Sequence, residues 1–171
     1  MAREQVRQRA QLACEFCDIA EADVGSQLTI DHFQPRAKGG DDSLDNLTYC
    51  CTACNQYKND YWPSPDAPSL WNPRHDPAAL HLLEPDDGML HPLTATGAFS
   101  LVRLRLNRPP LVAYRKRRRQ AQEEARLLKQ YRDLSRLIEQ LLIQQTVLIE
   151  EQRDLLEEQR ALLRLLLRQE T

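Results

Sequence analysis

With 171 residues, the chain has room for one compact domain and an appendage, but not for two full-sized domains. A formal net charge of -2 singles out no partner, and no apolar run reaches the length needed to cross a bilayer. The polar start MAREQVRQRAQ lacks the apolar core of a secretory signal, so the expected setting is the cytoplasm, with no membrane partner. Composition changes along the chain. All 5 Gly and all 10 Pro lie at or before Pro110, where acidic residues outnumber basic ones; the remainder is rich in Leu, Gln, Glu and Arg, with the opposite balance. A boundary near residue 110 follows.

The first signal along the chain is a pair of Cys-x-x-Cys elements. Five cysteines leave one over from any paired disulfide scheme, and in a reducing compartment such spacing points to metal. Cys14 and Cys17 in CEFC, with Cys51 and Cys54 in CTAC, aim four thiolates at one ion and complete a tetrahedron for zinc. Cys51 keeps the two-residue spacing to Cys54, so Cys50 is read as a small buried side chain or a thiol beside the ligands. Four thiolates leave zinc no open position for water, which makes it structural. It contributes on the order of 10 kcal/mol to the folding of a segment with little core of its own. Any catalytic ion must be held elsewhere.

Between the cysteine pairs, LTID has the β-branched and apolar character of a short strand, and FQPRAKGGDDSLDN is a loop held by Pro35, Gly39 and Gly40. LTYC then reads as a returning strand. Thr52 is a candidate N-cap for a short helix over TACNQYKND, whose first turns carry Asn55 and Lys58. Strand, loop, strand and helix would bring His32 opposite Asn55.

CEFC, DHFQPRAKGG, DNL and CTACNQYKND, in this order over roughly residues 10–60, resemble the HNH endonuclease family, the zinc-containing branch of the ββα-metal (His-Me finger) nucleases. The resemblance implies an α+β fold with a small zinc-stapled ββα-metal domain that hydrolyses DNA phosphodiester bonds. It makes His32 the general base, a role worth about 10² to 10⁴ in rate. Asp31 and Asn55 match the pair that offers oxygen ligands to a hard cation, Mg2+ or Mn2+. Asn46 matches the residue that braces the loop after His32. Lys58, one turn beyond Asn55, is read either as a phosphate contact or as a solvated surface lysine. Asn55 stands where the family name has its last His, which keeps an oxygen ligand, removes an imidazole and leaves the metal preference open. The alternatives are a non-catalytic zinc-dependent nucleic-acid-binding module and a coiled-coil scaffold subunit. Restriction, defence and mobile-element roles are all open.

The HNH-like segment is assigned residues 1–62, and residues 63–110 form a Pro-rich extension. Within it DGMLHPLTATGAFSLVRLRLN suggests a β-hairpin turning at Thr96 and Gly97, with Arg103, Arg105 and Arg108 contacting DNA or lining a solvated face. Residues 111–171 contain no breaker and form one long helix. Leu127, Leu134, Leu141, Leu148, Leu155 and Leu162 recur every seven residues, and LLIQQTV, LIEEQRD and LLEEQRA are near repeats in register, the pattern of a coiled coil. Self-association into a homo-oligomer is expected, with a different protein partner as the alternative. Gln145, Gln152 and Gln159 beside the Leu rows can select register and oligomer number. At the head of this helix Arg115, Lys116, Arg117, Arg118 and Arg119 form a basic run suited to salt-sensitive phosphate contacts.

Overall fold

The computed structural model describes residues 2–169, with side chains described through residue 164. Helix α1 (Ala2–Arg9) and the one-turn α2 (Glu21–Val24) precede strands β1 (Thr29–His32) and β2 (Leu47–Cys50). Helix α3 (Thr52–Lys58) follows at once, then the two-residue strands β3 (Leu82–Leu83) and β4 (His91–Pro92), helix α4 (Ala95–Arg103) and the 61-residue α5 (Pro109–Gln169). The chain divides into two compact units, residues 1–120 and 121–171. Among the described residues no helix is long and apolar enough to cross a membrane.

Strands β1 and β2 pair antiparallel, setting Asp31 across from Thr48 and His32 across from Leu47. Every residue of β2 is buried, and LTYC has the β-branched and aromatic content that such a strand needs. Val6, Phe16, Leu28, Leu47, Tyr49 and Trp71 form the centre of the core, joined by Leu104, Leu106 and Leu111 from farther along the chain. A polar tie crosses this core. Arg7 donates two hydrogen bonds to Glu21, at 2.8 and 2.6 Å, and the Tyr49 hydroxyl donates to the same carboxylate while accepting from the Leu28 amide at 2.9 Å. Arg7 first, and Tyr49 after it, hold the Glu21 carboxyl down at about 2. The stabilisation is therefore present above the ordinary carboxylate range and lost only as the pH falls towards 2.

Two expectations about local structure are corrected. Cys51, not Thr52, is the N-cap of α3: its sulfur accepts from the Cys54 amide at 3.4 Å, so a metal ligand also caps the helix. The hairpin with a turn at Thr96 and Gly97 is replaced by α4. Thr94 caps that helix by accepting from the Gly97 amide at 3.0 Å, and a Cβ at Gly97 would lie 2.1 Å from the His81 carbonyl oxygen. Gly97 thus serves close packing of the helix on the chain before it. The strand pairing in this region joins Leu82–Leu83 to His91–Pro92 instead.

Part of the basic run at the head of α5 is engaged by acceptors within residues 1–120, which takes Arg115 out of its reading as a phosphate-binding patch and occupies Arg118. Arg115 is 2 % exposed and donates to the carbonyls of Gly88 at 2.7 Å and Leu106 at 2.8 Å, and to the Asn107 side chain at 3.1 Å. Arg118 pairs with Asp18 and Glu84, and Arg119 with Asp86. The acids that pair with them lie far off in sequence, so part of a charge run that looks free is engaged. Lys116, Arg117 and Arg119 are exposed. Hydrogen bonds made by a charged donor are worth about 1.5–3 kcal/mol. Arg115→Ala should therefore lower the unfolding free energy by about 3 kcal/mol, and Lys116→Ala should leave it unchanged within about 0.5 kcal/mol; chemical denaturation of the two variants measures this.

Candidate active site and zinc centre

The sulfurs of Cys14, Cys17, Cys51 and Cys54 all lie within 4.8 Å of one another, and all four residues are buried. Cys17 and Cys51 Sγ are 3.7 Å apart, close to the ~3.8 Å edge of a tetrahedron built on 2.3 Å zinc–sulfur bonds. Hydrogen bonds from Cys14, then Cys17 and Cys54, push the Cys51 thiol far down, while bonding to Cys14 before all else pushes Cys17 and Cys54 up. Four sulfurs gathered at this spacing are a soft tetrahedral donor set. The donor set therefore fits zinc. Arg108 is placed against the cluster, with Nη2 3.8 Å from Cys51 Sγ and 3.9 Å from Cys54 Sγ. Burial works against its charge, but Cys54 and its neighbours more than offset this and raise its pKa. Its positive charge offsets part of a four-thiolate site's negative charge. Cys50 stands outside the four: burial pushes its thiol up, and Thr29 Oγ1 lies 3.8 Å from its sulfur.

Strand β1 ends in Asp31 and His32, and the first turns of α3 carry Asn55; a cavity of about 420 Å³ is lined by all three, together with Arg36, Gln56, Asn59 and Asp60. The loop between the strands is gripped at both ends by Asn46. Its Oδ1 accepts from the Gln34 amide at 2.8 Å, and its Nδ2 donates to the carbonyls of Gln34 at 3.1 Å and Asp41 at 2.8 Å. Gly40 lets the loop close, since a Cβ there would lie 1.9 Å from the Gln34 carbonyl oxygen. Residues 14–61 match the family model described as HNH endonuclease. This segment is an HNH domain. No curated protein and no solved structure matches the chain.

Within the HNH domain the loop supplies a residue that the sequence reading passed over. His32 Nε2 donates to Asp42 Oδ1 at 2.6 Å. Arg36 Nη2 donates to both oxygens of the same carboxylate, at 2.5 and 2.6 Å, and Arg36 before His32 holds the Asp42 carboxyl below its ordinary range. Arg36 Nε also lies 3.2 Å from His32 Nε2. That nitrogen cannot both carry a proton for Asp42 and accept one from Arg36, and the shorter, charge-assisted bond to Asp42 takes precedence. The ring is thus fixed through Nε2, and Nδ1 is the nitrogen that Asp42 does not engage. Only position would have marked Asp42 in the sequence, because it sits among other loop acids.

Asp31 and Asn55 carry the oxygens suited to a hard divalent ion. The Asn55 side chain lines the same cavity as Asp31. Asp31 Oδ2 is buried, and Lys58 Nζ lies 2.8 Å from it, close enough for an ion pair but off line for a hydrogen bond. With Oδ2 turned to Lys58, the half-buried Asp31 carboxylate and the Asn55 amide line one cavity, and their donor types fit Mg2+ or Mn2+.

Lys58 is neither a phosphate contact nor a surface lysine, correcting both readings. It is 0 % exposed, and Nζ donates to the His32 carbonyl at 2.7 Å and to that of Asn59 at 3.3 Å. The ammonium ties α3 to the end of β1 and keeps Asp31 from being a buried charge alone. Of the arginines of the extension, Arg103 turns inward, its Nη2 donating to the Lys58 carbonyl at 3.0 Å, while Arg105 stays exposed and stacks 4.8 Å from the Tyr57 ring centre. Removing one partner of a buried ion pair costs about 3–5 kcal/mol. Lys58→Met should therefore destabilise the first unit by roughly 3 kcal/mol, read by thermal or chemical unfolding, without changing the salt dependence of nucleic-acid binding.

Proposed function

We propose that the chain is a metal-dependent endonuclease hydrolysing DNA phosphodiester bonds. The observation that supports this best is the single cavity lined by the Asp31 carboxylate, the His32 imidazole and the Asn55 amide, within a segment that matches the HNH endonuclease family. Asp31 and Asn55 would hold Mg2+ or Mn2+. Bound there, such an ion supplies charge neutralisation at the scissile phosphate and its leaving oxygen. His32, pinned through Nε2 by Asp42, has Nδ1 left to take a proton from the attacking water. Arg36 at the rim of the cavity is aimed at Asp42 and sets that carboxylate in turn. Lys58 acts from behind, compensating Asp31 and leaving the cavity open.

The proposed setting is the cytoplasm, where thiolates stay reduced and zinc keeps its ligands. The second unit adds assembly. Its helix exposes Leu141, Leu148 and Leu155, each more than half accessible, in a row every seven residues. Such a row needs cover, and another copy of the chain supplies it, so that each assembly carries more than one active site.

His32→Ala should keep zinc, fold and DNA binding but lose at least about 10² in metal-dependent cleavage, as removal of a general base demands. Asp42→Ala should leave binding alone and slow cleavage by ~10-fold or more through loss of ring orientation. Cleavage of a plasmid substrate by the two variants and the unmodified chain measures both, and a wild-type rate for His32→Ala overturns the mechanism.

A further inference from the structure

The helical tail carries more than an apolar stripe. Taking Gln145, Gln152 and Gln159 as its midline, the row Leu148 and Leu155 lies to one side and the row Ile149 and Leu156 to the other, so the stripe is three rows wide. All four of those apolar residues are more than half exposed in the single chain. Charge flanks this stripe asymmetrically. Each residue advances about 100° around a helix. Glu151 and Glu158, one residue before Gln152 and Gln159, therefore line the first edge, and Arg153 and Arg160, one residue after, line the second. Arg153 contacts Glu157 at 3.9 Å with both side chains exposed, a weak pair that leaves its guanidinium open to recruitment.

We infer that the occupant of this stripe is a second copy of the same tail, running parallel and in register. The inference rests on the self-association reading above and adds its orientation. In a parallel bundle related by rotation about its long axis, the first edge of each helix lies against the second edge of its neighbour. Glu151 and Glu158 then face Arg153 and Arg160. In an antiparallel pair like edges meet, setting glutamates against glutamates and arginines against arginines. The amides fix the register. A Gln side chain both donates and accepts, so Gln145, Gln152 and Gln159 each satisfy the same residue of a neighbour at the same level. Sliding one copy by seven residues sets Gln145 against Ile138 and leaves the amide without a partner. An unrelated partner would have to reproduce both the amide spacing and the split of charge, whereas a second copy supplies both.

Disulfide trapping at the midline decides the orientation. Gln145→Cys and Gln159→Cys are made separately in the full zinc-loaded chain and exposed to a mild oxidant, with the unmodified chain as control for its five native cysteines. Each variant alone should form covalent dimers at least tenfold faster than the control, because each new thiol meets its own copy at one level. In an antiparallel pair centred on Gln152 the two positions are some 20 Å apart in like copies. Cross-linking seen only when the two variants are mixed overturns the parallel orientation, as does no cross-linking in either case, while leaving self-association standing. Light scattering that shows the unmodified chain monomeric at micromolar concentration overturns the inference and the self-association reading together, and leaves the nuclease reading untouched.

Discussion

Four cysteine sulfurs within bonding reach of one ion are the constraint on which the rest of the first unit depends. They join the turn at Cys14–Cys17 to the junction of β2 and α3 at Cys51–Cys54, beside the hydrogen bonds that tie Glu15 to Tyr49 at 2.8 and 2.7 Å. An isolated pair of four-residue strands is marginal in water. With the junction fixed, α3 starts at a defined place, its first turn capped by the Cys51 sulfur, and Asn55 is carried to the cavity at the end of β1. Zinc chemistry and candidate active-site chemistry are thus separate in ligand type and linked through one helix.

The extension and the head of α5 reinforce the same junction. Arg108 approaches the Cys51 and Cys54 sulfurs, Arg103 binds the last carbonyl of α3, and Leu104, Leu106 and Leu111 close the core. Guanidinium groups suit this work because they can satisfy several acceptors while stacking on aromatic rings, as Arg105 does on Tyr57. Arg103, Arg108, Arg115 and Arg118 are consequently turned to acceptors within residues 1–120, and the cavity is lined by residues of the HNH domain itself. The second unit is built on another principle, a repeating helical stripe whose apolar residues are exposed among the described residues.

What could be read from the sequence was what is encoded over short distances. The two Cys-x-x-Cys pairs, the Asp31–His32 dipeptide and the seven-residue Leu spacing are each local, and the order of the motifs was specific enough to suggest the family. What could not be read depends on neighbours supplied by the fold. Lys58 looked exposed because only the packing of α3 on β1 shows that its ammonium meets Asp31 and the His32 carbonyl. The run from Arg115 to Arg119 looked free because Asp18, Glu84, Asp86 and the Gly88 carbonyl lie far away in sequence. Gly97 read as a turn signal, but its lack of a Cβ is used for close approach to His81. Asp42 was one acid among several until the loop closure held by Asn46 placed it on His32.

The central claim, that one zinc held by four thiolates organises the first unit, is tested most directly by metal content. The measurement is elemental analysis of the purified, desalted chain, with circular dichroism followed as a zinc chelator is added. The account predicts one zinc per chain and loss of the folded signal of residues 1–120 as zinc is withdrawn. A folded, cooperatively unfolding chain that contains no zinc would contradict it.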